Sequence, residues 1–486
     1  MDIPVDVTKV YRNITYPSVN WPKLDLLSLL FESDQSLAND DTILHAAAEV
    51  PSCRLTKREL KQLSQRIAHC LRTRYSIGAN GPNKDIVTVM SYGQVMAPAV
   101  FFGIIAAGGV YSAASASSTV DELVHQVQLA RSQVIICSSE VKAVAWKAAI
   151  TCHIPPENVL ILESTPSLAL KRALDDVDLL SQHRLDWQKI TEQRQLAESI
   201  IVVIWSSGTT GVPKGVMLSH ANLVSQLRIA KSPDVTDHFA HLKGASAGSA
   251  PMDANLQASA SARLGIDKSA LVAPSWGLSE TTGAVAMAQT YQGDEVGSLG
   301  PILPCLEVRL VDDDFSDVDD GVPGELLVRG PTVMRGYLNN ATATTEAFHD
   351  GWFRTGDIAV RRNGKFYMVD RKKELLKYKG LQIAPAELEH LLVTHPAIQE
   401  AAVIGVPAPD DSSSELPRAY GVVVGSSGVS VEEVMEFVKT RSAPHKQLRG
   451  GVVFMDEIPK NSSGKILRRE LRERAKKEAG RLRARL

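Results

Sequence analysis

The stretch IVVIWSSGTTGVPKGVMLSHANL, Ile201 to Leu223, sets an apolar run against a turn rich in glycine and hydroxyl side chains that carries one lysine. Residues 201–205 have the character of a strand buried on both faces. The run stops at Ser206, and a helix-like pattern follows the turn. A strand end, a glycine-rich turn and a helix start make a nest of backbone N–H groups aimed at one point. An anion binds there because the donors are unpaired and the helix dipole agrees. Ser206, Ser207, Thr209 and Thr210 add hydroxyl donors, Lys214 adds a charge, and Gly208 and Gly211 let the backbone approach phosphate oxygens closely. The reading is a phosphate cradle. It is not the G-x-x-x-x-G-K-[ST] loop, because Pro213 precedes Lys214 and Gly215 follows it, nor is it G-x-G-x-x-G.

Outward from this loop the chain reads as α/β. The runs DIVTVMSY, SQVIICSS, NVLILES and SIIVVIW, within residues 83–205, alternate with helical stretches such as TVDELVHQVQLAR. That alternation predicts parallel strands with covering helices. VMAPAVFFGIIAAGGVYSAA, Val95 to Ala114, is broken by Pro98, Gly103, Gly108 and Gly109. It is expected as a buried helix running through a glycine turn into a buried strand, not as a membrane span. Residues 296–370 change to short strands between glycine and proline turns, which predicts a small antiparallel or barrel-like unit. From Arg371 the pattern is mixed: a helix then a strand in PAELEHLLVTHPAIQEAAVIGVP, a helix in SVEEVMEFVKTRSA capped by Ser430, and a strand in GGVVFMDEIP.

Composition excludes several classes. With 486 residues, 44% hydrophobic and 22% charged, the chain has ample material for a core and for roughly two to four domains. A net charge of -2 invites neither nucleic acid nor an anionic membrane surface. Cys53, Cys70, Cys137, Cys152 and Cys305 are dispersed without a C-x-x-C pair, so reduced thiols are expected and not a disulfide frame or zinc site. The start MDIPVDVTKVYRN lacks the basic-then-apolar pattern of a signal peptide.

SSGTTGVPKGV resembles the signature loop of the adenylate-forming enzymes, the AMP-dependent synthetase and ligase superfamily that includes acyl- and aryl-CoA ligases of the coumarate-CoA ligase type. WGLSETTG (276–283), GELLVRGPTVMRGYLNN (324–340), GWFRTGDIAV (351–360), VDRKKELLKYKGLQIAPAELE (369–389) and PKNSSGKILRREL (459–471) resemble further family motifs in the family's order. The resemblance implies an N-terminal AMP-binding domain over residues 1–370, built of doubly wound sheets plus the barrel-like unit. A small mobile α+β domain over residues 371–486 follows. The implied reaction activates a carboxylic acid with ATP to an acyl-adenylate and transfers the acyl group to coenzyme A, within secondary metabolism.

The same resemblance assigns roles. Glu280 matches the magnesium-associated glutamate, Ser279 stands where the family has threonine, and Trp276 replaces a tyrosine and is expected to stack on adenine. Asp357 matches the acceptor of both ribose hydroxyls, and Arg371 a ribose or phosphate contact. Lys373 and Lys377 belong to the same nucleotide site. Lys465 is the expected catalytic lysine, reaching between α-phosphate and carboxylate. Lys379 and Gly380 match a CoA-contacting turn. No carrier-protein attachment segment follows the lysine loop, which favours free coenzyme A as the thiol. Between residues 223 and 245 the chain is shorter than the family pattern, where strands of the second sheet and much of the acyl pocket belong. The alternative is therefore a catalytically impaired nucleotide-binding relative. Ala484-Arg485-Leu486 resembles a peroxisomal address, so the peroxisomal import receptor is an expected partner; without that address the chain would be cytoplasmic.

Overall fold

Valine- and isoleucine-rich runs build the centre of the molecule. In the computed structural model, which describes residues 9–12, 22–36, 38–206, 213–229, 246–248, 273–287, 297–379, 381–408, 411–425, 428–460 and 465–483, they form one eight-stranded sheet. Its order is Gly336–Tyr337, Lys214–Ser219, Ile200–Ser206, Val110–Ala114, Ile86–Met90, Val134–Ser138, Val159–Glu163 and Ala169–Arg172. The five strands from Ile200–Ser206 to Val159–Glu163 run parallel, and the outer ones are antiparallel. All five residues of Val134–Ser138 are buried, as continuous apolar runs require when helices cover both faces.

The covering helices start where their caps dictate. Thr56 and Glu59 form a capping box on Lys57–Tyr75, and Thr119 and Glu122 form another on Val120–Ala130. The apolar run from Val95 becomes the helix Ala97–Ala106 and the strand Val110–Ala114, joined through Gly108 at φ 79°. No helix of the described residues is long and apolar enough to cross a membrane. The helix packs tightly on Lys57–Tyr75: a Cβ at Gly103 would lie 2.6 Å from Ile67 Cγ2.

The glycine-rich loop has a different frame from the one its sequence suggests. Lys214–Ser219 is a strand, antiparallel to Ile200–Ser206 with Lys214 opposite Ser206, and the helix His220–Ile229 begins only after it. Its two flanks are therefore paired antiparallel strands, and the helix begins at His220, after the second of them. The reason is local. Val216, Leu218 and Ser219 are buried against neighbouring strands, and a Cβ on Gly215 would meet Val203 and Leu338 side chains at 2.9 and 3.2 Å.

A second, six-stranded antiparallel sheet comprises Tyr11–Arg12, Glu307–Val311, Gly324–Arg329, Trp352–Arg362 and Phe348–His349, with Lys365–Arg371 also paired to Trp352–Arg362. A third sheet is small: Ser246–Ala247, Ala273–Leu278 and Gly283–Met287. After Arg371 come the hairpin Leu376–Tyr378 with Leu381–Ile383, the helix Pro385–Val393, and the strands Ile398–Ala408, Asp411–Val423 and Val452–Phe454. The helix Val431–Lys439 is capped by Ser430 and Glu433, and the helix Arg468–Arg483 closes the described chain. Each hydrophobic cluster of the described residues lies wholly on one side of Arg371.

All five cysteines are unpaired, and burial pushes the Cys70 and Cys137 thiols up to about 11 and about 12. Ser207, Gly208, Thr209, Thr210, Gly380, most of the shortened 223–245 region and Ala484-Arg485-Leu486 lie outside the described residues.

Replacing Gly103 by valine inserts a branched side chain into the Ile67 contact and is expected to cost about 1–3 kcal/mol of stability. A thermal unfolding midpoint equal to the parent's would contradict the close packing of these two helices.

Candidate active site

Asp357 lies in Trp352–Arg362 just after Gly356, whose φ of 68° turns the chain into a bulged stretch. Its carboxylate is 3% exposed. Oδ2 accepts from Trp276 Nε1 at 2.9 Å, and Oδ1 pairs with Arg371 Nε at 3.2 Å across the strand register. Burial holds the carboxyl above the usual carboxylate range, while Arg371, the Trp276 bond and Lys465 pull the other way. Trp276 itself is 7% exposed and packs with Val285, Leu299 and Leu306. The expectation of an indole open to adenine is corrected: the ring belongs to the core, and its N–H orients Asp357. The cause is the sheet register, which turns this large ring onto the antiparallel sheet.

Glu280 sits in the short helical turn Ser279–Thr281. That turn is pinned from several sides. Thr281 Oγ1 lies 2.9 Å from Leu278 N, 3.0 Å from Leu278 O and 2.7 Å from Gly283 O, and Thr282 adopts φ 63°. A Cβ on Gly277 would fall 2.0 Å from Gly283 O, so only glycine fits there. Glu280 is buried; its backbone carbonyl accepts from Met334 N at 2.7 Å and its Oε1 from Tyr337 Oη at 3.1 Å. Ser279 opens the turn, partly exposed. Across the site, Lys214 Nζ rests 5.0 Å from the centroid of the Tyr337 ring. Ser206 Oγ, opposite Lys214 at the mouth of the hairpin, is buried with no hydrogen-bond partner among the described residues.

The C-terminal unit supplies the opposing wall. A bridge between Lys460 and Ile466, with Leu467 N bonded to Pro459 O at 2.8 Å, closes the base of the loop that delivers Lys465. Behind it, Arg468 bonds both oxygens of Glu389 and the Val403 carbonyl, and Arg472 bonds Glu374 at 2.7 Å. Burial lowers the Lys465 ammonium to about 8; Arg371 and Lys373 push the same way, and Asp357 and Glu374 oppose them. Lys373 is likewise depressed by burial, with Arg371 and Arg472 adding repulsion. Lys372 reaches back across the boundary to Asp313 at 2.7 Å and to Glu325, 2% exposed, at 2.9 Å.

The structure thus gathers Lys214, Trp276, Glu280, Asp357, Arg371, Lys373 and Lys465 around one region. Lys377 and Lys379 stand elsewhere, on a hairpin packed against Asp411–Val423. Their backbone N–H groups bond Glu415 Oε2 at 3.3 Å and Ser414 Oγ at 3.0 Å. Lys377 is exposed on that hairpin, on the face opposite Tyr378, and its charge acts on Asp313 of the preceding unit. Lys379, at φ 48°, is the turn residue. Sequence reasoning passed over Tyr337. It stands inside a quoted motif, but nothing in a linear pattern tells which tyrosine crosses to a carboxylate.

For magnesium, the donor set fits. A divalent ion bound with a polyphosphate takes one or two carboxylates and completes its shell with phosphate oxygens and water. Glu280 offers one such carboxylate, already oriented by Tyr337, facing the hairpin mouth where Lys214 and Ser206 lie.

Comparison with known proteins identifies the family. The model of the AMP-binding enzyme family matches residues 32–240 and 227–338, and that of the AMP-binding enzyme C-terminal domain matches residues 387–465. An Emericella nidulans protein named as an acyl-coenzyme A synthetase is 42% identical over 95% of this chain and 97% of its own length. The acyl-CoA ligase azaF of Aspergillus niger is 30% identical over 93% of this chain and 99% of its own. ATP-bound MatB from Rhodopseudomonas palustris superposes with a TM-score of 0.76 at 22% identity, covering 92% of this chain and 98% of that one. The family match is broken at residues 227–240, and the Emericella alignment runs to 546 positions against the 486 residues of this chain. The relative thus carries several dozen residues that this chain lacks. With both domain models matched in order and a relative at 42% identity along nearly its whole length, the chain belongs to the AMP-binding, adenylate-forming enzyme family, in its acyl-CoA ligase-like group.

Proposed function

We propose that this chain activates a carboxylic acid with ATP and passes the acyl group to coenzyme A. The observation that carries the reading is the meeting of Asp357, Arg371 and Lys465, from two structural units, beside Glu280. In the first step a carboxylate oxygen attacks the α-phosphorus, the bond to the bridging oxygen breaks, and pyrophosphate leaves. Asp357 presents two acceptor oxygens, each with a lone pair beyond its present partner, which suits a ribose diol. Lys465 and Arg371 place positive charge where the α-phosphoryl group gains negative charge. Lys214 and the Ser206 hydroxyl, which has no partner among the described residues, stand ready for the departing diphosphate. A magnesium ion held by Glu280 would neutralise charge on that leaving group. In the second step the thiolate sulfur of coenzyme A attacks the acyl carbonyl, and AMP departs with the electron pair of its bond to the acyl carbon.

A second reading rests on the broken family match at 227–240. A chain lacking residues there binds nucleotide at the intact cluster but holds no acid in line with the α-phosphorus. Adenine nucleotide binding without pyrophosphate release across a broad panel of acids would select this reading; release that needs both an acid and ATP would select the first.

Charge on Lys465 sets a pH dependence. The amine is protonated below about 8 and loses its charge above it, so kcat/KM for ATP is expected to fall as pH rises through that value. Lys465→Arg, whose guanidinium stays charged, should flatten the fall, and Lys465→Ala should lower pyrophosphate release about 100- to 1,000-fold. An alanine variant with full turnover would overturn the assignment.

Asp357→Asn keeps the shape but loses the charged acceptor. AMP affinity is expected to weaken about 10- to 100-fold, the range for a lost charged hydrogen bond. Unchanged titration of AMP by calorimetry would remove Asp357 from the nucleotide site.

A further inference from the structure

Tyr337 joins two groups that the reaction needs separately. Its hydroxyl donates to Glu280 Oε1 at 3.1 Å, and its ring carries Lys214 Nζ at 5.0 Å from the centroid. The lysine stands at the phosphate hairpin and the glutamate is the carboxylate suited to a divalent ion. Placed within reach of each other in a half-buried site, the two would form an ion pair, neutralise one another, and have to be torn apart before either met the polyphosphate. A tyrosine between them prevents that. The aromatic face attracts the ammonium weakly enough to release it to a phosphate, and the phenol orients the carboxylate without supplying a positive charge.

The backbone fixes Tyr337 in this post. Gly336–Tyr337 is the edge strand beside Lys214–Ser219, with Val216 opposite Tyr337, which makes Lys214 its diagonal neighbour. Arg335 N bonds Met217 O at 3.1 Å and Leu338 N bonds Gly215 O at 2.7 Å, on either side of the tyrosine. Tyr337 N itself bonds Thr344 Oγ1 at 2.9 Å. A Cβ on Gly336 would meet Thr344 Cγ2 at 2.8 Å, so the glycine lets the chain close here. Met334 N, bonded to the Glu280 carbonyl at 2.7 Å, ties the same segment to the turn that carries the carboxylate.

We infer that Tyr337 is a positioning residue that keeps Lys214 and Glu280 apart and preset, one for the departing diphosphate and the other for its divalent cation. The inference rests on the nucleotide site proposed above and adds to it the residue that governs its metal and polyphosphate half. Tyr337 touches neither the ribose carboxylate Asp357 nor the cations around it in any hydrogen bond or ring contact described, so its effect should be confined to that half.

The test is calorimetric titration of the full chain and of Tyr337→Phe with AMP, with α,β-methylene-ATP in the presence of magnesium, and with magnesium varied at fixed α,β-methylene-ATP. The phenylalanine variant keeps the ring under Lys214 and loses only the hydroxyl. The expected result is AMP affinity within twofold of the parent, affinity for the magnesium–nucleotide complex lowered about 10-fold, and a raised magnesium half-saturation. Lys214→Met should lower affinity for the complex by itself, and the double variant should lose less than the product of the two single losses, since the residues act as one unit. Equal loss for AMP and the complex, no loss for either, or strict multiplicativity in the double variant overturns the inference. Failure of the parent chain to bind either nucleotide overturns the proposed site itself and is read separately.

Discussion

The buried carboxylate of Asp357 is the constraint on which the site depends. A charge at that depth persists only when it is paired and hydrogen-bonded. Trp276 Nε1 takes one oxygen and Arg371 Nε the other, so the third sheet, the antiparallel sheet and the start of the C-terminal unit are tied at one atom group. Lys465 is then added on the same side. Burial lowers Lys465 and Lys373 together, and repulsion from Arg371 adds to it. A cluster in that condition gains most by taking up an anion, and a nucleotide phosphate is one.

The junction at Arg371 has its own physical character. Apolar clusters stop on either side of it, and what crosses is charge: Arg371 to Asp357, Lys372 to Asp313 and Glu325. Ion pairs can exchange partners with water and with each other at small cost, whereas a shared apolar core cannot be opened without exposing its area. Within the C-terminal unit, by contrast, Arg468 is buried against Glu389 and Glu374, which makes the helix behind Lys465 a fixed platform.

The strands at Ser206 and Lys214 and the turn at Glu280 illustrate how sheet geometry places polar groups. Antiparallel pairing sets Ser206 opposite Lys214 and sets Tyr337 diagonal to it, so three polar groups converge at one end of the sheet. Gly277 and Gly283 act similarly for Glu280. Their backbones approach so closely that the turn between them has one available path.

The amino-acid sequence by itself determined the parallel strands and the capped helices, because those signals are local: periodicity and caps; Glu280, Asp357, Arg371 and Lys465 were singled out through the resemblance of ordered motifs to a family pattern. Three things were decided only by tertiary structure. Lys214–Ser219 became a strand because a neighbouring edge was available to pair with it, which outweighed a helix-like pattern. Trp276 turned into the core because the register of its sheet left an apolar face to fill. Tyr337 acquired its place between Lys214 and Glu280 because three segments distant in the chain pack at one sheet edge. Each outcome depends on pairing across long separations, where the energy lies in contacts that no short window of residues contains.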